Sequence, residues 1–135
     1  MSEPASTFAT PSPRTVLLVD DDPLVRSLLG RALSNDGYAV LAAADGEEAL
    51  ALASALNGQL SLVVTDIRMP VMDGLELASH LIELNPKLPI LFISGFLPAT
   101  AKVPGLLLSK PFTPTVFLDH VHRLTGPAVT ADRSA

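Results

Sequence analysis

The fold of this chain is decided by the stretch LVVTDIRMPVMDG, which occupies residues 62–74. Residues 62–64 are apolar and mostly β-branched, which favours a short strand buried on both faces of a parallel sheet. Asp66 follows closely, and Pro70 prevents further strand because proline lacks an amide donor. The Asp-Gly pair that closes the stretch favours a turn. We therefore predict that Asp66 lies at the carboxyl end of a buried strand, at the edge where open parallel sheets bind ligands.

The composition limits the class of protein. A chain of 135 residues with 48% hydrophobic residues suits one domain with a sizeable core. A net charge of −5 argues against direct binding to nucleic acid, which requires a basic face. The chain has no cysteine, and no apolar run approaches the roughly 20 residues of a membrane helix. We expect a cytoplasmic protein that binds neither nucleic acid nor membrane directly.

Four other apolar segments predict buried strands, and helical patterns separate most of them. These strands are expected at residues 15–19, 38–43, 89–93 and 106–108. The helical patterns begin near residues 23, 46, 75 and 116. This alternation predicts an α/β fold with about five parallel strands and right-handed crossovers.

The connection between the last two predicted strands is short. Residues 95–105 include Pro98 and Pro104, and their number is close to the minimum of about 10–12 residues for a whole parallel crossover. A full helix does not fit there, although residues 98–102 could form about one helical turn.

The two ends of the chain differ from its centre. Residues 1–13 are mostly Ser, Thr, Ala and Pro, a composition that predicts a flexible arm. Residues 126–135 are expected to be a tail. The folded domain is therefore predicted to span residues 14–125.

Five polar residues follow predicted strands immediately or within two positions: Asp20, Asp21, Asp66, Ser94 and Lys110. If the strands are parallel neighbours, their side chains meet at one edge of the sheet. Three carboxylates within about 5 Å would repel by roughly 3 kcal/mol per pair at an effective dielectric of about 20. A divalent cation reverses this repulsion, and Mg²⁺ is the expected ion because it prefers oxygen ligands and phosphate partners.

The same residues suggest a phosphoryl-transfer site. Lys110 supplies a positive charge and Ser94 a hydroxyl donor, which together suit a phosphoryl group in transfer. Asp66 is the candidate carboxylate nucleophile. Each residue has a simpler interpretation when taken alone, since an aspartate can merely end a strand and a lysine can lie on the surface.

Four segments closely resemble the signature segments of response-regulator receiver domains: VDDDPLVR at 19–26, TDIRMPVMDG at 65–74, FISG at 92–95 and SKPF at 109–112. The resemblance spans residues 15–124. It implies a flavodoxin-like, doubly wound five-stranded parallel sheet, and the short connection then predicts that the family's fourth helix is shortened or missing.

The resemblance also implies a ligand set and a reaction. Mg²⁺ is expected to be held by Asp21, Asp66 and the backbone carbonyl of Arg68, with Asp20 acting through water. Asp66 would accept a phosphoryl group from a phosphohistidine of a sensor histidine kinase or a histidine phosphotransfer protein. Ser94 and Lys110 would contact that group, and the Lys110–Pro111 peptide bond would be cis.

Two departures from the family pattern bear on signalling. Leu107 stands where a switching Tyr or Phe is expected, and the connection after Ser94 is several residues shorter than usual. We predict that the domain passes its phosphoryl group on, or signals through its first and last helices, more than it uses the face of the fourth helix. Arg68 and Phe96 are candidates for tuning phosphoryl lifetime.

Two alternatives remain at this stage. The first is a degenerate receiver that binds partners without phosphorylation, although every acceptor-site residue is present. The second is a freestanding phosphatase, which usually needs an acid two residues after the nucleophile, where this chain has Arg68. We expect no enzyme activity beyond self-catalysed phosphotransfer and autodephosphorylation. The sequence does not decide between a monomer and a weak dimer, or between a stand-alone regulator and part of a hybrid kinase.

Overall fold

A computed structural model describes residues 14–56, 58–95, 97 and 101–126. Its centre is a five-stranded parallel sheet with the strand order β2-β1-β3-β4-β5. The strands are β1 Thr15–Val19, β2 Ala39–Ala43, β3 Leu62–Asp66, β4 Ile90–Ser94 and β5 Leu106–Ser109. The predicted five-stranded parallel sheet is confirmed.

Four helices occur in the described part of the chain: α1 Pro23–Asn35, α2 Gly46–Ala55, α3 Gly74–Leu84 and α4 Pro114–Thr125. They lie on both faces of the sheet, because alternate strand residues enter two separate cores. Leu17 and Val63 pack with α2 and α3 in one core, whereas Val16, Leu18 and Val64 pack with α1 and α4 in the other. This is the doubly wound arrangement that the sequence predicted.

Polar side chains cap the amino ends of all four helices. Asp22, Asp45, Asp73 and Thr113 each accept a hydrogen bond from a backbone N–H in the first turn. Such caps satisfy donors that have no partner within the helix. They also fix where each helix begins, and each of the four helices follows a strand.

The connection from β4 to β5 crosses the sheet without a helix in its described residues, 95, 97 and 101–105. Leu97 and Val103 pack against the core on the α2–α3 side. A Cβ on Gly105 would lie 2.3 Å from the carbonyl oxygen of Ile90, so only glycine permits this approach. These residues agree with the prediction that the family's helix between β4 and β5 is shortened or missing. The single turn predicted at residues 98–102 falls largely outside the described residues.

The expected domain limits, residues 14–125, stay a prediction. The last helix ends at Thr125, and the predicted arm at residues 1–13 and nearly all of the predicted tail lie outside the described residues. Among the helices described, none is both long and apolar enough to cross a membrane.

Candidate functional site

The carboxyl ends of four adjacent strands bring the predicted site residues together. Register pairs Val19 with Thr65, and Asp66 with Ile93, so the residues that follow β1 lie beside the end of β3. Lys110 continues from β5, and its N–H donates to the carbonyl of Ser94 at 2.8 Å. The convergence follows from strand order alone, because β3 is the central strand.

Asp20, Asp21 and Asp66 form an acidic cluster at this edge. Each offers a carboxylate oxygen, and these three atoms lie within 4.8 Å of one another. Their exposure differs sharply, since Asp20 is 1% exposed, Asp66 is partly buried and Asp21 faces solvent. The cluster therefore reaches from the protein interior to the solvent.

Asp20 carries the clearest sign of a cation site. Its Oδ1 accepts a hydrogen bond from the Asp22 N–H at 2.9 Å, whereas its buried Oδ2 has no hydrogen-bond partner among the described residues. The pKa of Asp20 is raised to about 6, chiefly by burial; the Asp22 hydrogen bond and Lys110 lower it, whereas the charges of Asp66 and Asp21 add to the rise. An all-oxygen ligand set with one unpartnered buried oxygen fits a hard divalent ion such as Mg²⁺.

Lys110 and Ser94 border the acidic cluster on the side of β4 and β5. The Nζ of Lys110 lies 3.5 Å from Oδ2 of Asp66. Ser94 is buried, and its Oγ accepts a hydrogen bond from the Leu97 N–H at 3.1 Å. The Lys110–Pro111 peptide bond is cis, as the resemblance implied. A cation thus lies beside Asp66, and the Ser94 hydroxyl lies at the end of the adjoining strand β4.

The loop after Asp66 is held tightly against the end of β3. The Arg68 N–H donates to Oδ1 of Asp66 at 3.3 Å, and the Gly74 N–H donates to the carbonyl of Ile67 at 2.8 Å. A Cβ on Gly74 would lie 2.2 Å from the carbonyl oxygen of Asp66. The sequence identified Gly74 only as a turn residue. Its second role is to let α3 begin directly against the backbone of Asp66.

The three predicted switch and tuning positions, Leu107, Arg68 and Phe96, keep their roles as predictions. Leu107 lies half-buried on β5 and packs against the core, with neither ring nor hydroxyl to respond to Ser94. Arg68 is exposed beside Asp66. Phe96 lies outside the described residues, so its role stays a prediction.

An apolar groove of about 390 Å³ runs beside the site, between α1 and the loop from β5 to α4. Lys110 lies at its rim, and Leu28 on α1 is 59% exposed. The apolar lining includes Val25, Leu28, Leu29, Ala32, Pro111 and Phe112.

Comparisons with known proteins agree with this geometry. The family model of the response regulator receiver domain matches residues 16–122. The sensor kinase CckA of Brucella abortus is 42% identical over 107 residues, which are 73% of this chain and 11% of the kinase. The response regulator MprA of Mycobacterium sp. (strain KMS) is 42% identical over 106 residues, which are 74% of this chain and 45% of that regulator.

Solved structures show the same fold. The receiver domain of the hybrid histidine kinase CckA is 34% identical, with a TM-score of 0.74 over 82% of this chain and 98% of that one. The CheX–CheY–BeF3–Mg²⁺ complex of Borrelia burgdorferi is 27% identical, with a TM-score of 0.74 over 82% of this chain and 88% of that one. The match of the family model to most of the chain, on the same sheet topology, shows that this protein belongs to the response regulator receiver domain family.

Proposed function

We propose that this protein is a phosphoacceptor of a two-component or phosphorelay system, in which Asp66 takes a phosphoryl group from a phosphohistidine in a Mg²⁺-dependent reaction. The observation that carries the proposal is the grouping of three carboxylates with Lys110 at 3.5 Å from Asp66. Carboxylates placed so closely repel one another unless they serve an ion, and Lys110 suits the anionic group that such an ion would bring.

Asp21, Asp66 and the backbone carbonyl of Arg68 would hold the Mg²⁺, with Asp20 acting through water. The unpartnered, buried Oδ2 of Asp20 supports this assignment. When bound, the ion supplies positive charge that neutralises the carboxylates and the oxygens of the phosphoryl group. A 27% identical protein of the same fold has been solved as a complex with Mg²⁺ and BeF3, which adds support for this chain.

The transfer uses the carboxylate of Asp66 as the nucleophile. An Asp66 oxygen attacks phosphorus, the P–N bond of the phosphohistidine breaks, and its electron pair returns to the imidazole ring. The product is an acyl phosphate on Asp66 and a free histidine. Lys110 pairs with the added negative charge, and the Ser94 hydroxyl donates to a phosphoryl oxygen. Water later hydrolyses the acyl phosphate, which restores the carboxylate and releases inorganic phosphate, and we propose no other turnover.

The donor in this proposal is a protein, either a sensor histidine kinase or a histidine phosphotransfer protein in the cytoplasm. The apolar groove beside Lys110 supports a protein donor, because exposed Leu28 and its neighbours offer contacts that a small phosphate donor would not need. A sensor kinase among the relatives, matched over this domain, also supports a kinase partner.

We propose that output relies less on the surface of the helix between β4 and β5 than the family pattern implies. Leu107 lacks a ring to couple with Ser94, and the described residues of the β4–β5 connection are not helical. The phosphoryl group is then passed on, or is sensed through α1 and α4. Amide exchange before and after phosphorylation tests this proposal, which is abandoned if the largest response is at Leu107 and a well-formed helix appears in residues 95–105.

Incubation with Mg²⁺ and acetyl phosphate or phosphoramidate tests the main proposal. Intact-mass spectrometry should show one phosphoryl group that is slowly hydrolysed, and none in Asp66→Asn. The absence of an adduct would instead favour a degenerate receiver that acts as a phosphorylation-independent binding module. Rapid turnover of varied phosphomonoesters would favour a phosphatase.

A further inference from the structure

We propose that Arg26 is a positioning residue for the acidic cluster, and that it acts by fixing the peptide group that joins Asp20 to Asp21. This inference rests on the proposed Mg²⁺ site. The sequence had assigned Arg26 no role, although it lies within the segment 19–26 that carries the resemblance.

The contact itself joins a helix to the end of a strand. Nη1 of Arg26 donates to the backbone carbonyl of Asp20 at 2.6 Å, and the side chain is half-buried. Arg26 lies on α1, and its own N–H donates to the carbonyl of Asp22 at 3.0 Å. The Asp22 side chain caps that helix by accepting from the Leu24 N–H at 2.9 Å. The guanidinium is therefore presented from a fixed helix end.

Arg26 affects both Asp20 and Asp21, because the hydrogen bond it donates is accepted by the peptide group that joins them. The carbonyl of Asp20 and the N–H of Asp21 belong to one planar peptide unit, so holding the oxygen orients the whole unit. On its other side, the Asp20 N–H donates to the carbonyl of Ala43 at 3.2 Å. These two hydrogen bonds restrain the backbone on both sides of the Asp20 Cα.

The restraint determines where both carboxylates point. With the backbone fixed, Oδ1 of Asp20 receives the Asp22 N–H, and its Oδ2 stays buried within the acidic cluster. Asp21 leaves the same peptide unit toward solvent. Without Arg26, rotation of this peptide unit would move both acids relative to Asp66. Arg26 thus orients the acidic cluster without contacting the Mg²⁺ that the cluster would hold.

The sign of the effect separates positioning from simple electrostatics. Removing a positive charge near a cation site strengthens cation binding by Coulomb's law. Removing a positioning hydrogen bond weakens it, and loss of a residue that orients metal ligands typically reduces metal affinity by about 10–100-fold. The two explanations therefore predict opposite changes in the Kd for Mg²⁺.

Titration of the full chain with Mg²⁺, followed by ¹H–¹⁵N NMR at neutral pH, tests the proposal. We expect Arg26→Gln to raise the Kd for Mg²⁺ by about tenfold. Arg26→Lys keeps the charge and one donor, so it should recover most of the affinity. Arg31→Gln is the matched control, because it removes the same charge from an exposed arginine on the same helix. It should leave the Kd unchanged or slightly lower.

The free energy of unfolding, measured by urea denaturation, separates a purely structural role. If Arg26→Gln lowers that free energy but binds Mg²⁺ with the wild-type Kd or more tightly, the proposal is overturned. Should Arg26→Gln fail to fold, Arg26→Met, which keeps the apolar stem without charge or donor, takes its place, and a Kd equal to or below that of the wild type overturns the proposal too. A wild-type protein that shows no Mg²⁺ binding overturns the proposed metal site itself, an outcome distinct from equal binding by both proteins.

Discussion

Replacing Asp20 with asparagine should stabilise the Mg²⁺-free protein near neutral pH. Asp20 is 1% exposed, and its pKa is raised from 3.8 to about 6, chiefly by burial. At about 1.4 kcal/mol per pKa unit, this change corresponds to a destabilisation of about 3 kcal/mol when the group is ionised. Asparagine keeps an acceptor for the Asp22 N–H but carries no charge. We expect Asp20→Asn to gain between about 1 and 3 kcal/mol at pH 7.5.

The gain should depend on pH in a defined direction. Because the pKa of Asp20 is higher in the folded state than in the unfolded state, protonation favours folding. The associated stability is fully present below pH about 4 and is lost as the pH rises through about 6. The two proteins should therefore have similar unfolding free energies at pH 4 and diverge above it, while acids that do not interact with Asp20 cancel in the comparison.

Magnesium should reverse the order of the two unfolding free energies, so that the wild type becomes more stable than Asp20→Asn. An ion that binds only the folded state stabilises it, so the wild type gains unfolding free energy from Mg²⁺ at pH 7.5, whereas Asp20→Asn gains less. The assay is urea denaturation at several pH values, with and without Mg²⁺. Asp21→Asn is the control, since this exposed acid should change the Mg²⁺-free stability little yet still reduce the gain from Mg²⁺. Equal stabilities of wild type and Asp20→Asn at every pH would refute the reasoning.

Three further substitutions test separate parts of the account. Lys110→Gln removes the ammonium that lies 3.5 Å from Asp66. Phosphorylation by acetyl phosphate, followed by mass spectrometry over time, should therefore slow by about 100-fold. An unchanged rate would contradict the role of Lys110. Val71→Gly should raise the unfolding free energy by about 1 kcal/mol, because exposed Val71 has a φ of 69° that glycine adopts without strain. A loss of stability would show that the substitution relieves no strain. Leu28→Asp should slow phosphotransfer from a kinase but not from acetyl phosphate. Equal slowing of both reactions would show that the substitution disturbs the acceptor site around Asp66 rather than the binding of the kinase.

The sequence predicted the sheet and the meeting of the site residues because both follow from short-range patterns. Buried parallel strands are continuous apolar runs, and their ends are marked by the polar residues that follow. Once five such runs alternate with helices, strand ends must share an edge. The positions of Asp66 and Lys110 could therefore be inferred before their separation was known.

The features that the sequence could not provide depend on packing across the chain. Asp20 and Asp21 are identical neighbours in the sequence, yet one is buried and the other exposed, which sets their different chemistry. The bond from Arg26 to the Asp20 carbonyl joins a side chain to a main-chain atom, which leaves no residue pattern. Tyr38 was predicted as part of β2, but that strand begins at Ala39, and the Tyr38 hydroxyl instead bonds to Thr125 at 2.9 Å.

The central claim concerns the atom that receives phosphate, and peptide mapping of the phosphorylated protein tests it most directly. After incubation with acetyl phosphate and Mg²⁺, the phosphoryl group should be found on Asp66 alone, and chelation of Mg²⁺ or Asp66→Asn should abolish it. A phosphoryl group on another residue, or on Asp66 with equal yield after chelation, would contradict the account.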